Sequence, residues 1–125
     1  MNLHPRVLAV EDDPDLSYLY DALLSGEGYE VLLAHDADEA LEQAKQHPDV
    51  IILDLMLPGT NGYVLIRRLR ADATTCATPV VIVSAAIPPG RQRIEGADAI
   101  VHKPFEFEGL LRTIEQVSHH PHVAR

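Results

Sequence analysis

The stretch "VIILDLMLPGTNGY", Val50 to Tyr63, decides the fold: an apolar run ends on the single carboxylate of Asp54, then breaks into proline, glycine and asparagine. An uninterrupted apolar run reads as a strand covered on both faces, which is the habit of parallel sheets. An acid at the tip of such a strand is costly to bury without a partner, so its position needs a reason.

Working outward, "RVLAV" at Arg6 to Val10 is a second such run, followed at once by Glu11, Asp12, Asp13 and Pro14. Asp13 is expected to cap a helix with Pro14 at its first position, and Leu16, Leu19, Tyr20, Leu23 and Leu24 recur at the spacing of one helix face. Gly26 and Gly28 close it. "YEVLLA" from Tyr29 reads as another strand, and "DADEALEQAKQH" from Asp36 as a helix opened by the capping-box pair Asp36 and Glu39 and stopped by His47 and Pro48. After Asp54, the loop through Pro58, Gly59 and Asn61 leads into a third helix from about Gly62 to Arg70, with Gly62 expected in a backbone conformation closed to other residues. "PVVIVSA" gives a fourth strand ending at Ser84, a proline-bearing connection and a short helical segment follow, and "AIV" at Ala99 to Val101 gives a fifth strand leading into Lys103. A last helix is expected from about Glu106 to Ser118. Five alternations of strand and helix with apolar strand centres imply an α/β, doubly wound parallel sheet with helices on both faces. Ligands of such sheets sit beyond the carboxyl ends of the strands.

The strand ends carry Glu11 and Asp12, Asp54, Ser84 and Lys103, and a parallel sheet points them all one way. Two carboxylates about 5 Å apart repel by roughly 3 kcal/mol at an effective dielectric near 20, so three need a counter-charge beyond one lysine. A divalent cation supplies it, and an all-oxygen set suits magnesium, which keeps waters and recruits phosphate oxygens. The parts are those of phosphoryl transfer to a carboxylate, with Asp54 as nucleophile and Glu11 and Asp12 placed to hold the metal.

Composition narrows the partners. The 125 residues make one domain, and a formal charge of −9 argues against gripping nucleic acid directly, which runs on Lys and Arg. No apolar run reaches the length of a membrane span and no signal-peptide layout opens the chain, so a cytoplasmic protein without membrane association is expected. Cys76 is alone, and redox chemistry is not expected of it. Arg67, Arg68 and Arg70 read as a solvated basic face, and His119, His120 and His122 as part of a solvated tail.

Together "LAVEDD" at Leu8 to Asp13, "DLMLPGTNGY" at Asp54 to Tyr63, "VSA" at Val83 to Ala85 and "HKPF" at His102 to Phe105 resemble the receiver domain of two-component response regulators, of the chemotaxis-receiver type. The resemblance implies a flavodoxin-like sandwich with strand order 2-1-3-4-5, one receiver domain over residues 1–125 with its core at about 5–118 and a tail at 119–125. It implies a phospho-acceptor at Asp54, a switch hydroxyl at Ser84 and an ammonium at Lys103 that pairs with Asp54 or its phosphoryl group. It also implies Mg2+, or Mn2+ in its place, held directly by Asp12 and Asp54, through water by Glu11 and by the backbone carbonyl of Met56, and a cis peptide before Pro104. A histidine kinase or histidine phosphotransfer protein would be the donor, and an effector protein or domain the downstream partner. Such a protein is no enzyme in the ordinary sense, since it catalyses only its own phosphorylation and dephosphorylation.

Two departures stand out. Ile100 occupies the place three before the lysine where the family commonly has an aromatic, and Pro88, Pro89 and Gly90 stand where a fourth helix should run, so that helix is expected to be short or irregular. Three other functions compete on the sequence. A flavin protein would need a hydroxyl- and glycine-rich loop where "EDDPD" stands, and an aspartyl phosphatase would want a second acid at Met56. An interaction domain that works without phosphorylation is the alternative that survives.

Overall fold

The strands of the sheet are short apolar segments whose few polar residues stand at their ends, and the three inner ones are buried almost throughout. The computed structural model describes residues 4–118; the histidines at 119, 120 and 122 lie outside the described residues. The strands β1 (Arg6–Val10), β2 (Glu30–Ala34), β3 (Val50–Leu53), β6 (Val80–Ser84) and β7 (Ala99–His102) form one sheet in the order β2-β1-β3-β6-β7, all pairs parallel. This is the expected order 2-1-3-4-5. Between them lies a feature that the sequence did not suggest, a two-residue antiparallel pair of β4 (Met56–Leu57) and β5 (Thr60–Asn61).

Helices α1 (Pro14–Gly26) and α4 (Phe107–Ser118) cover one face, where Tyr20, Leu24, Leu110 and Ile114 pack on Val7, Ile52 and Val81. Helices α2 (Ala37–Ala44) and α3 (Gly62–Ala71) cover the other, where Ala40, Leu65 and Leu69 pack with Leu8, Ile51 and Ile82. The starts follow the caps read from sequence. Asp13 accepts from the Asp15 N–H with Pro14 at the first position, and Asp36 accepts from the Glu39 N–H. Asn61, the last residue of the loop, caps α3 by accepting from the Val64 N–H.

The short helical segment expected before the fifth strand is absent: residues 85–98 contain no helix. The consecutive prolines bar helical hydrogen bonding, and burial of Ile87 and Ile94 in the α2–α3 core does the covering that a helix would have done. The far end of this connection is held by Arg70, one of the arginines read as solvated. Arg67 and Arg68 are exposed, but the Arg70 guanidinium is nearly buried and donates to Gly96 O (2.8 Å), Thr78 O (2.6 Å) and the Asp98 carboxylate (3.0 Å). Asp98 in turn accepts from the Val80 N–H, so one side chain ties α3 to the starts of both β6 and β7.

The loop after Asp54 uses its glycines differently from expectation. Gly59 is the residue with positive φ, at 75°. Gly62 is needed for space, because a Cβ there would meet Leu55 Cα at 2.7 Å and Asp54 O at 2.9 Å. Backbone atoms cannot move aside as a side chain can, so Gly62→Ala is expected to destabilise by about 2 kcal/mol or more. A urea titration checks this, and an unchanged midpoint would contradict the close approach.

Candidate functional site

Four of the residues chosen from strand ends converge. Asp54 follows β3 and is drawn in by its own N–H donating to Val10 O (3.3 Å), while Glu11 follows β1 with its N–H on Ala34 O (2.9 Å). Ser84 ends β6, and Lys103 follows β7 with its N–H on Ser84 O (3.1 Å). The sheet's ladder thus continues one residue past each strand and fixes where these side chains start.

Asp54 is buried and fully engaged. Its Oδ1 accepts from the Ser84 hydroxyl (2.6 Å) and the Met56 N–H (3.0 Å), and its Oδ2 accepts from Lys103 Nζ (2.6 Å). Lys103 Nζ also donates to Glu11 Oε1 (2.8 Å), and the other oxygen of Glu11 accepts from the Asp13 N–H (3.1 Å). Ser84 has no exposed surface, and its oxygen accepts from the Ala86 N–H (3.1 Å) while it donates to Asp54. The peptide bond between Lys103 and Pro104 is cis.

The charges do not balance within this group. One ammonium serves two carboxylates, and Asp54 has the shorter contact together with two further donors. Glu11, only 2% exposed, is the acid left short: burial pushes its carboxyl up, and the bonds from Lys103 and the Asp13 N–H only partly oppose this. Burial alone would lower Lys103, but its hydrogen bonds to Asp54 and Glu11 outweigh burial and hold it above the ordinary lysine value. It therefore remains an ammonium at neutral pH.

Of the other two predicted metal ligands, one stands outside the hydrogen-bonded group and one joins it through its backbone N–H. Asp12 is exposed to solvent, and Met56 enters through its N–H, with its side chain 64% exposed. Among the described residues no cluster of three or more His, Cys, Asp or Glu side chains is gathered to hold a metal. The donors at hand are nonetheless hard oxygens around a net negative pocket. That chemistry fits a magnesium ion, which takes one or two carboxylates and keeps waters, better than an ion that demands a closed protein cage.

The family model for the response regulator receiver domain matches residues 7–115. The chain belongs to the response regulator receiver domain family. Over 116 aligned residues the receiver is 36% identical to Protein PilH of Pseudomonas aeruginosa, covering 90% of this chain and 96% of that one. It is also 36% identical to the DNA-binding response regulator MtrA of Mycolicibacterium smegmatis, of whose length it spans 50%. Among solved structures it resembles a putative response regulator from Chloroflexus aurantiacus (TM-score 0.84, 32% identity, 93% of this chain and 98% of that one). A second neighbour is the receiver domain of a Pseudomonas aeruginosa sensor histidine kinase (TM-score 0.84, 28% identity, the same coverage), described with a magnesium ion coordinated in its active site cleft. The receiver is thus a two-component signalling domain. No helix among the described residues is long and apolar enough to cross a membrane.

The raised Glu11 carboxyl sets a direction for stability. A folded-state value above the ordinary 4.5 means that Glu11 favours the fold fully when protonated, below 4.5, and that this support is lost as pH rises through the folded value. Glu11→Gln keeps an acceptor for Lys103 and removes the buried charge. At neutral pH without divalent cations it is expected to be more stable than the parent by about 1 kcal/mol. The gap should close on acidification, as followed by urea midpoints; a gap that widens in acid would contradict the charge imbalance.

Proposed function

We propose that the receiver is a phospho-accepting switch in a two-component or phosphorelay system, with Asp54 as the acceptor. The observation that carries this reading is a buried aspartate with no charge partner of its own beyond a lysine it must share, reached by donors from two other strand ends. In the step itself an Asp54 oxygen attacks phosphorus, the phosphorus bond to the donor's nitrogen or oxygen breaks, and the leaving group departs with the electron pair. Lys103 is within reach of both the carboxylate and the arriving phosphoryl oxygens and lowers the charge repulsion between them. Ser84 then exchanges its bond to Oδ1 for one to a phosphoryl oxygen. Because the same hydroxyl accepts from the Ala86 N–H, that exchange pulls on the first turn of the helix-free connection at 85–98.

Asp12, Asp54 and the Met56 carbonyl would hold Mg2+ directly, with Glu11 acting through water, and the ion supplies charge neutralisation on the phosphoryl oxygens. The histidine kinase or histidine phosphotransfer protein on the donor side, and an effector on the output side, follow from family membership. The receiver catalyses only its own phosphorylation and dephosphorylation. The helix-free connection favours one second reading, an interaction domain that works without phosphorylation.

Intact mass spectrometry after incubation with Mg2+ and acetyl phosphate separates the two. A gain of one phosphoryl group, acid-stable and base-labile, is expected on the parent and not on Asp54→Asn. Absence of the adduct together with absence of Mg2+ binding would transfer the assignment to the interaction domain.

A further inference from the structure

Positive charge is unevenly spread over this chain. Among the described residues, Arg6, Lys45, Arg70 and Lys103 are each paired with a carboxylate of the fold. Arg67, Arg68, Arg91, Arg93 and Arg112 are exposed and have no ion-pair partner among the described residues. All but Arg112 lie on α3 or on the helix-free connection at 85–98. A chain with a formal charge of −9 thus keeps nearly all of its uncommitted positive charge in two segments.

Those segments are packed together. A Cβ at Gly96 would meet Ile66 Cγ2 at 2.5 Å and Arg70 Cγ at 3.7 Å, so the end of the connection lies against α3, where Arg70 Nη2 also donates to Gly96 O (2.8 Å). Arg67 follows Ile66 in the chain and Arg93 precedes Ile94, and both isoleucines are buried in the same core. Arg67 and Arg93 therefore flank one seam. The connection itself is an ordered turn: the Arg91 N–H donates to Pro88 O (3.1 Å), with Pro89 second and Gly90 third at φ 76°, the residues and hydrogen bond of a type II turn. Ile87 and Ile94 anchor it on either side, so its arginines are presented on a backbone already ordered by folding, and a partner held there costs little further backbone entropy. Few acids oppose them. Asp98 is bound by Arg70, Asp72 accepts from the Thr74 N–H and hydroxyl, and Glu95 is the exposed acid of the connection.

We propose that this face, formed by Arg67 and Arg68 of α3 with Arg91 and Arg93 of the connection, docks an acidic segment of a partner protein. Guanidinium groups match carboxylates in geometry as well as charge. A short acidic segment lies within one screening length of the arginines, about 8 Å at physiological salt, and is largely shielded from the acids elsewhere on the chain. A nucleic acid fits less well, because four arginines neutralise few phosphates and a long polyanion continues across the acidic remainder of the surface. The face is formed without a phosphoryl group on Asp54, so docking there stands apart from the reaction at that residue.

The full chain is titrated into a fluorescein-labelled decaglutamate peptide, and separately into a labelled short DNA duplex, at low ionic strength with anisotropy as the readout. The parent is expected to bind the peptide saturably, and more weakly as salt is raised. Arg91→Ser with Arg93→Ser, and Arg67→Ser with Arg68→Ser, should each weaken binding about tenfold, the scale of two exposed ion pairs lost at low salt. Urea midpoints of both paired variants should match the parent, since none of the four arginines holds a partner within the fold. Arg112→Ser, on the α4 side of the sheet, should bind as the parent does. No saturable binding of the peptide, paired variants that bind like the parent, or an equal loss in Arg112→Ser overturns the proposal. Tighter binding of the duplex than of the peptide, lost in both paired variants, overturns it in favour of a nucleic acid.

Discussion

A single ammonium, Lys103 Nζ, stands between Glu11 Oε1 at 2.8 Å and Asp54 Oδ2 at 2.6 Å, and the arrangement of the strand ends depends on it. Both acids are buried, and each belongs to a different strand of the sheet. Without the lysine, the carboxyl edge of the sheet would hold two charges out of water with only neutral donors to face them, a situation that proteins avoid by pairing or protonation. With it, the edge is held but not neutral. Burial, more than the neighbouring charge of Asp54, is why the most buried acid among the described residues, Glu11, has its proton affinity raised.

The same group reaches outward along two lines. Ser84 joins Asp54 to the Ala86 N–H, and so to the start of a connection without a helix. The far end of that connection is held firmly by Arg70 through Gly96 O and Asp98, while Ile87 and Ile94 plug it into the core. Residues 88–93 therefore hang between two buried isoleucines, anchored at one end to a scaffold and at the other to the pocket. The second line runs from Lys103 through Pro104 to Phe105 and its stack on Tyr20. The ordinary aromatic position before the lysine is Ile100, packed against the α2–α3 core, and the aromatic contact nearest the pocket lies on the opposite face of the sheet.

Strand order, helix starts and the convergence of Glu11, Asp54, Ser84 and Lys103 were legible because each rests on a local rule: apolar runs for buried parallel strands, Asp and Pro for helix starts, and parallel direction for the common side of the tips. What escaped depended on tertiary packing. Arg70 is one of three arginines on an amphipathic helix, and nothing in its immediate neighbours tells it from Arg67. Its burial follows from the loop at 72–79 and the segment at 94–98 folding around it, and the signal available was only its four-residue spacing from the buried Ile66. The special position of Gly62 was legible but its cause was not, since close approach of the Asp54–Leu55 backbone is a tertiary contact that a sequence does not display. Leu19 and Leu23 fit the helical period of α1 and yet remain half outside, because the α4 side stops at Phe105 and Phe107 and leaves an apolar groove uncovered.

The most direct measurement of the central claim is the pH dependence of the stability of Lys103→Met, compared with the parent in the absence of divalent cations. Removing one partner of a buried charge group costs about 3 kcal/mol or more. If the lysine alone holds the two acids, the variant should be less stable than the parent by this order at neutral pH, and the deficit should shrink as mild acid protonates the carboxyls. A variant as stable as the parent at neutral pH, or a deficit unchanged by acid, would contradict the role given to that ammonium.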